Sequence, residues 1–142
     1  MNTCILVASR IGARLFLREN HHLTLVKSLE HPEGRRDSEA PRSSDRHGDS
    51  RRAKARESSA HDRAAKQFAR ALATLLQGRR IEHKMDRVVL VAEPHMLGLI
   101  KGELDDVTRG LVIRTISKDL HAASEQVVFE HVKTISPVPP LS

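Results

Sequence analysis

The stretch from Asp86 to Leu104 constrains the fold of this chain more than any other. It opens with Arg87–Ala92, a run that is apolar after the arginine and contains three valines. A short run of this kind is typical of a strand covered on both faces, and Pro94 then suits the first position of a helix. Apolar residues follow at helical spacing: Met96, Leu97, Ile100, Leu104 and Val107. The stretch therefore predicts half of a βαβ unit, with the sheet built around this strand.

Three further strands are predicted near the N-terminus, at Thr3–Ser9, Ala13–Glu19 and Leu23–Glu30. The first is largely apolar, and the other two alternate between apolar and polar residues, which is typical of strands with one wetter face. In the second strand, Phe16 falls on the wetter face. Short turns separate the three strands, so we expect an antiparallel meander.

The segment from 31 to 58 contains almost no large apolar residue and many charges. Such a segment cannot bury enough surface to offset the entropy of ordering, so we expect a long mobile loop. The clearest helix follows at Ser59–Gln77, capped by its first residue and ended by Gly78 as the C′ residue. A fifth strand is predicted at Leu111–Ser117, and a last helix begins after Ser124. Four residues of this helix are expected to face inward: Val127, Val128, His131 and Val132.

This order of elements predicts the α/β class. A β-β-β meander is followed by α-β-α-β-α, and right-handed crossovers then give a five-stranded mixed sheet in the order 3-2-1-4-5, with helices on its faces. The 142 residues are expected to form a single domain over 1–135, with the internal basic loop at 31–58. Residues 136–142 are rich in proline and are expected to form an extended tail.

The charge of the chain suggests an anionic partner. Lysine and arginine exceed the acidic residues by six, and basic chains often bind nucleic acid, although a solvated arginine-rich surface with no partner is the alternative. The lack of Trp and Tyr argues against base stacking, so contacts to phosphate are expected. The N-terminus has no basic leader, and no apolar run approaches the ~20 residues of a membrane helix. We therefore expect a soluble, cytoplasmic protein without membrane insertion.

The basic residues that are candidates for nucleic-acid binding lie in the predicted loop and in the helix after it. They are Arg42, Arg46, Arg51, Arg52, Lys54, Arg56, Arg63, Lys66 and Arg70. Between Arg42 and Arg56, six basic residues stand against two aspartates, a formal charge of +4. Such a loop could wrap RNA and become ordered on binding. An inert solvated loop is the alternative.

Sequence motifs for metal binding and catalysis are lacking. The nine histidines are scattered, without an HExxH motif or a pair of cysteines, so surface histidines and no metal site are expected. The phosphate-binding glycine loops and the GxSxG motif are also absent, so no cofactor and no catalytic residue is assigned. Glu93, Lys118 and Asp119 should meet at the carboxyl edge of the sheet, where open α/β folds bind an anion or a small molecule. The alternative is that Asp119 caps a turn and the other two are surface charges.

Several stretches of the chain resemble one bacterial family. They are GARLF in the second strand, HPEGRRDSE, SDRHGDS, FARALA, VVLVAEPHMLGLIK and the later SKDL. Together they resemble the bacterial host-attachment proteins over about Cys4 to Val132, and the SDRHGDS segment departs from the family pattern at His47 and Asp49. The resemblance implies a role in attachment to host cells.

That family is in turn similar to the middle domain of archaeal and eukaryotic peptide-chain release factors. This resemblance implies a mixed α/β sheet with a long loop before the first helix, and ribosome, rRNA or tRNA as partners. The release-factor loop carries Gly-Gly-Gln, whereas the nearest stretch here is Gly48-Asp49-Ser50, so hydrolysis of peptidyl-tRNA is not expected. Three hypotheses remain: a non-catalytic module that binds ribosome or RNA through the basic loop and first helix, an adaptor with protein partners linked to attachment, and a small hydrolase near Glu93 and Asp119.

Overall fold

A five-stranded mixed sheet lies at the centre of the computed structural model, which describes residues 2–31 and 50–135, with the backbone alone for 50–59 and 61. The strands are β1 (Thr3–Ser9), β2 (Gly12–Arg18), β3 (Leu23–Glu30), β4 (Arg87–Ala92) and β5 (Val112–Ser117). Their order is β3-β2-β1-β4-β5. The pairs β1–β2 and β2–β3 are antiparallel, and β1–β4 and β4–β5 are parallel. The predicted α/β class and strand order are therefore confirmed.

Helices cover both faces of this sheet. They are α1 (Ser50–Ile81), α2 (Pro94–Glu103), α3 (Asp106–Arg109) and α4 (Glu125–Val132). Pro94 occupies the first turn of α2, as predicted, and Ser124 caps α4 by accepting a hydrogen bond from the N–H of Val127 at 3.2 Å.

Helix α1 is longer at both ends than the sequence predicted. It begins at Ser50 rather than Ser59, so the last part of the segment predicted as a loop is helical. The prediction weighed the lack of large apolar residues, whereas Arg, Ala, Lys and Glu, which fill positions 51–57, are among the strongest helix formers. The remainder of the predicted loop, residues 32–49, and the predicted tail at 136–142 lie outside the described residues.

The C-terminus of α1 is closed by a histidine and not by the predicted glycine. The helix continues through Gly78, and His83 adopts the left-handed conformation with a φ of 61°. The N–H of Lys84 donates to the carbonyl of Arg79 at 2.8 Å, and the N–H of His83 donates to that of Arg80 at 3.0 Å. This pair of bonds is the Schellman arrangement, in which glycine is usual because a Cβ is strained at the left-handed position.

The larger of two hydrophobic clusters lies between the sheet and helices α1 and α2. Helical spacing brings Phe68, Leu72 and Leu76 onto one side of α1, and Met96 and Ile100 onto one side of α2, where all five are buried. They pack against the side chains of alternate residues in the two central strands: Cys4, Leu6, Val88 and Leu90. Val107 does not extend this stripe and is 61% exposed, because the chain leaves α2 at Leu104 and starts the separate helix α3.

The smaller cluster lies on the opposite face of the sheet, under α4. Val128 and Val132 of the helix pack against Ile5 and Val7 of β1, and Phe16 of β2 is fully buried among them. The prediction of a wetter face for Phe16 is therefore wrong, because α4 covers that face. Of the helix residues predicted to face inward, Val128 and Val132 are buried, His131 is half-buried and Val127 is 41% exposed.

Two arginines of β2 tie the sheet to α4 and to the segment before it. Arg14 donates to the backbone carbonyls of Leu120 and Ala123 at 3.0 and 2.6 Å. Arg18 donates to three carbonyls at the C-terminal end of α4: Val132, Lys133 and Ile135. Burial lowers the pKa of both guanidinium groups. The bonds of Arg18 reach carbonyls at and just beyond the C-terminal end of α4, which have no partner within the helix.

Candidate functional site

One edge of the sheet carries the C-terminal ends of four strands and the N-terminal end of β2. Because β2 runs antiparallel to its neighbours, β1, β3, β4 and β5 end at the edge where β2 begins. A cavity of about 640 Å³ lies at this edge, with α1 as one wall. The eight polar residues of the described lining are Ser9, Arg10, His31, Asp62, Glu93, His95, Asp119 and His121. The carboxyl edge predicted to bind ligands is therefore a real concavity.

Glu93 lines the cavity and is also the N-cap of α2. Its Oε1 accepts a hydrogen bond from the N–H of Met96 at 2.7 Å, and its Oε2 accepts one from the N–H of His95 at 3.1 Å. The residue has the extended backbone that an N-cap requires. Both carboxylate oxygens are thus fixed in position, and the fixed carboxylate is part of the cavity wall.

Asp119 also lines the cavity, whereas Lys118 does not. The Oδ1 of Asp119 accepts a hydrogen bond from the N–H of His121 at 3.2 Å, so this residue caps a turn. The exposed ammonium group of Lys118 lies 3.5 Å from Nε2 of His131. Of the three residues predicted at this edge, the structure brings Glu93 and Asp119 together and directs Lys118 elsewhere.

His31 is one of several cavity residues that the sequence analysis did not assign to a site. Only 9% of it is exposed, and its ring is stacked on Phe68, with 4.5 Å between centroids and 2° between planes. Its Nδ1 lies 2.7 Å from the carbonyl oxygen of Arg10. A carbonyl only accepts, so Nδ1 carries the hydrogen. In the neutral ring Nε2 is then an acceptor, and it has no partner among the described residues.

The expectation that histidines lie on the surface is therefore wrong for His31. Strand direction is the signal that could have found it. An antiparallel β3 must end at the edge where β1 and β4 end, and His31 directly follows β3.

His121 is packed closely on the start of β2. A Cβ placed on Gly12 would lie 2.9 Å from Cε1 of His121 and 2.9 Å from the carbonyl oxygen of Leu29. Only glycine lets the ring approach the backbone this closely. The absence of a side chain at position 12 therefore allows the ring of His121, which lines the cavity, to occupy this position.

The basic residues proposed for nucleic-acid binding lie on α1 and before it. Arg63, Lys66 and Arg70 are exposed, and Nε of Arg70 lies 3.1 Å from Oε1 of Glu103. Four more belong to the part of α1 described as backbone alone: Arg51, Arg52, Lys54 and Arg56. Arg42 and Arg46 lie outside the described residues.

Metal binding and membrane insertion have no structural support in the part of the chain that is described. No group of three or more His, Cys, Asp and Glu side chains there has the arrangement needed to hold a metal ion. No helix within 2–31 and 50–135 combines the length and apolarity that crossing a membrane requires.

The sequence matches a family described as "Protein required for attachment to host cells" over residues 4–132. The chain belongs to this host-attachment family. Within the described residues, the match includes the five strands except the first residue of β1, the four helices and each residue named above as lining the cavity. No curated protein matches the chain significantly.

Solved structures share the fold of this host-attachment protein. One is the archaeal translation termination factor aRF1, with a TM-score of 0.53 and 14% identity over 94% of this chain and 35% of that one. A second, titled "Archaeal protein", has a TM-score of 0.52 and 14% identity over 94% of this chain and 34% of that one. At this identity the likeness establishes a release-factor-like α/β fold. The chain spans about a third of either structure.

Proposed function

We propose that this host-attachment protein is a non-catalytic cytoplasmic module that binds ribosomes or RNA. The observation that carries the proposal is the basic face of α1. From Ser50 to Arg70 the helix holds seven basic and two acidic residues, a formal charge of +5. A dense positive charge on a rigid element is the electrostatic footprint of a protein that contacts phosphates.

Most of the basic positions fall on one side of the helix. Five basic positions recur every three, four or seven residues and so share a face of α1: Arg52, Arg56, Arg63, Lys66 and Arg70. The opposite side, with Phe68 and Leu72, is buried against the sheet. The row from the first to the last of these positions spans about 27 Å of helix, enough to follow several phosphates.

The release-factor-like fold supports the same proposal, because aRF1 is titled a translation termination factor. The proposed mode of binding is electrostatic and needs no chemistry. Neither Glu93 nor Asp119 has a nucleophilic side chain among its hydrogen-bond partners in the described residues. A small hydrolase at this edge is therefore the weakest of the three hypotheses.

Cosedimentation of the purified protein with ribosomes tests the proposal. Binding at low salt should weaken as salt rises, with log K falling by about 0.7 for each phosphate contact per unit of log salt. The double variant Arg63→Gln/Lys66→Gln should bind more weakly and lower the salt slope by about 1.4, since two phosphate contacts are lost.

The matched control removes two positive charges from other elements of the molecule. Lys101→Gln/Lys133→Gln has the same net charge as the test variant, and both lysines are exposed. It should bind with the salt slope of the unmodified protein. The proposal is wrong if ribosomes are not bound at low salt, or if the two double variants are weakened equally.

An adaptor that affects host attachment through protein partners is the second candidate, and the family description favours it. Its docking segment would be the basic stretch 35–56, of which 50–56 belong to α1. A pull-down that recovers envelope or regulatory proteins without ribosomal components would support this function. Recovery of ribosomes alone would count against it.

A further inference from the structure

The cavity at the carboxyl edge has the size and place of a ligand site. Its volume of about 640 Å³ falls in the range of pockets that hold small molecules. It lies beyond the ends of the parallel strands β1, β4 and β5, where open α/β sheets bind ligands. Apolar side chains, including Ile11 and Met96, line it together with the polar ones.

The charge of the cavity is opposite to that of the chain. Three carboxylates line it, those of Asp62, Glu93 and Asp119, and Arg10 is the one Lys or Arg in the described lining. The formal charge of the described lining is thus −2, within a chain of charge +6. A basic chain repels cations in general, so a cation that binds must be attracted by a local feature such as this one.

The hydrogen-bonding groups of the cavity favour acceptors over donors. Phe68 and the carbonyl of Arg10 hold the ring of His31, so in the neutral ring Nε2 is an acceptor in a fixed position. The carboxylates of Glu93 and Asp119 are held by backbone N–H groups and keep lone pairs that those bonds do not use. Fixed acceptors lose little freedom when a ligand binds.

We propose that this cavity binds a small organic amine. An ammonium group presents three donors and no acceptor, which complements carboxylates and the Nε2 of His31. The carbon chain of the amine would lie against Ile11 and Met96. The edge predicted from the sequence to bind an anion or a small molecule would then be a site for a small cation. Binding of the amine need not affect RNA binding by α1.

An NMR titration of the full-length protein with 1,4-diaminobutane tests this site. Saturable shifts are expected for the backbone amides of His31, His95 and His121, with a Kd of about 1 mM or tighter. Inorganic phosphate and glycerol, as comparison probes, should leave these resonances unchanged. The proposal is overturned if the amine gives no saturable shift, or if phosphate gives the shifts instead.

Two substitutions should weaken amine binding by about fivefold to tenfold, since each removes one acceptor or one charge. His31→Asn keeps a donor for the carbonyl of Arg10 and deletes the acceptor at Nε2. Asp62→Asn removes an exposed charge from the cavity wall and should not disturb folding. Thermal unfolding of each variant checks that the fold is retained.

Asp106→Asn is the matched control, because it removes the same charge from a carboxylate on α3 whose side chain is 98% exposed. It should leave the amine affinity unchanged. Equal weakening by Asp62→Asn and Asp106→Asn would show a diffuse charge effect and overturn the site. His31→Asn should leave ribosome cosedimentation unchanged, so the amine site and the RNA-binding proposal stand or fall separately.

Discussion

The two faces of the sheet are covered in different ways. On one face, α1 and α2 form a cluster of eighteen buried residues with the strands, and on the other, α4 contributes to a cluster of nine. Helix α4 has only eight residues. Arg14 and Arg18 of β2 supply it and its flanks with five hydrogen bonds to backbone carbonyls.

The comparison shows two ways to hold a helix on a sheet. A long helix buries enough apolar area to stay in place by packing alone, at roughly 25 cal/mol per Å². A short helix buries little, and its last carbonyls lack partners within the helix. The guanidinium of Arg18 meets three carbonyls at that end, so directional polar contacts replace part of the missing apolar area.

The largest effect is expected from Leu72→Ala on the α1 face. Leu72 is fully buried in the larger cluster, so its truncation should lower the free energy of unfolding by about 2–5 kcal/mol. Urea denaturation measures the change. Ile81→Ala, at a residue that is 63% exposed, should change it by less than about 0.5 kcal/mol. Similar losses for both variants would mean that packing does not dominate this face.

A smaller and more local effect is expected from Arg18→Met. The substitution keeps an unbranched apolar stem but removes the donors to three carbonyls at and just beyond the end of α4, which should cost about 1–3 kcal/mol. Hydrogen exchange should quicken in α4 while the amides around Leu72 keep their protection. Arg114→Met on β5, at an exposed arginine, is the control and should leave α4 unchanged. Equal loss of protection in α1 and α4 would contradict a separate mode of attachment.

The smallest effect on stability is expected from the ionisation of Cys4, which lies within the larger cluster. Burial raises the pKa of its thiol above the ordinary value of 9.0, so the folded state holds this proton more tightly than the unfolded state. The resulting stabilisation is complete below about pH 9 and is lost as the pH rises through the folded pKa. The stability difference between the unmodified protein and Cys4→Ala should therefore shrink above pH 9 in urea titrations.

Thiol labelling connects this prediction to the two faces. Cys4 should react slowly with a disulfide reagent at pH 8, since labelling requires the larger cluster to open. Arg18→Met should loosen α4 without a comparable increase in the labelling rate. If Arg18→Met raises the labelling rate of Cys4 as much as it raises hydrogen exchange in α4, the two faces open together.

The sheet was predictable because its signals are local. Runs such as Thr3–Ser9 and Arg87–Ala92 carry β-branched residues between turn signals, and short connections restrict the strand order. The start of α1 at Ser50 was missed because the prediction relied on apolar spacing, which cannot detect a helix turn made of charged helix formers. The end of α1 was missed because nothing in the residue type of His83 announces a left-handed conformation.

The candidate site was only partly predictable, for a physical reason. Glu93 and Asp119 each follow a parallel strand. Because the carboxyl ends of parallel strands lie at the same edge of a sheet, the sequence alone places both residues there. The role of His31 depends on contacts with Phe68 and with the carbonyl of Arg10, which are distant in the sequence. Lys118 follows the same strand as Asp119, yet its side chain lies by His131, because neighbouring residues need not point the same way.

The contact between Gly12 and His121 has a consequence for how this sequence can vary. A methyl group at position 12 would meet both an imidazole ring and the backbone of the neighbouring strand, whereas one at Gly98 or Gly102 would meet nothing within 4 Å. Any side chain at position 12 therefore requires both the ring of His121 and the backbone of β3 to shift. A Cβ at either helical glycine has open space around it, so a substitution there requires no such shift.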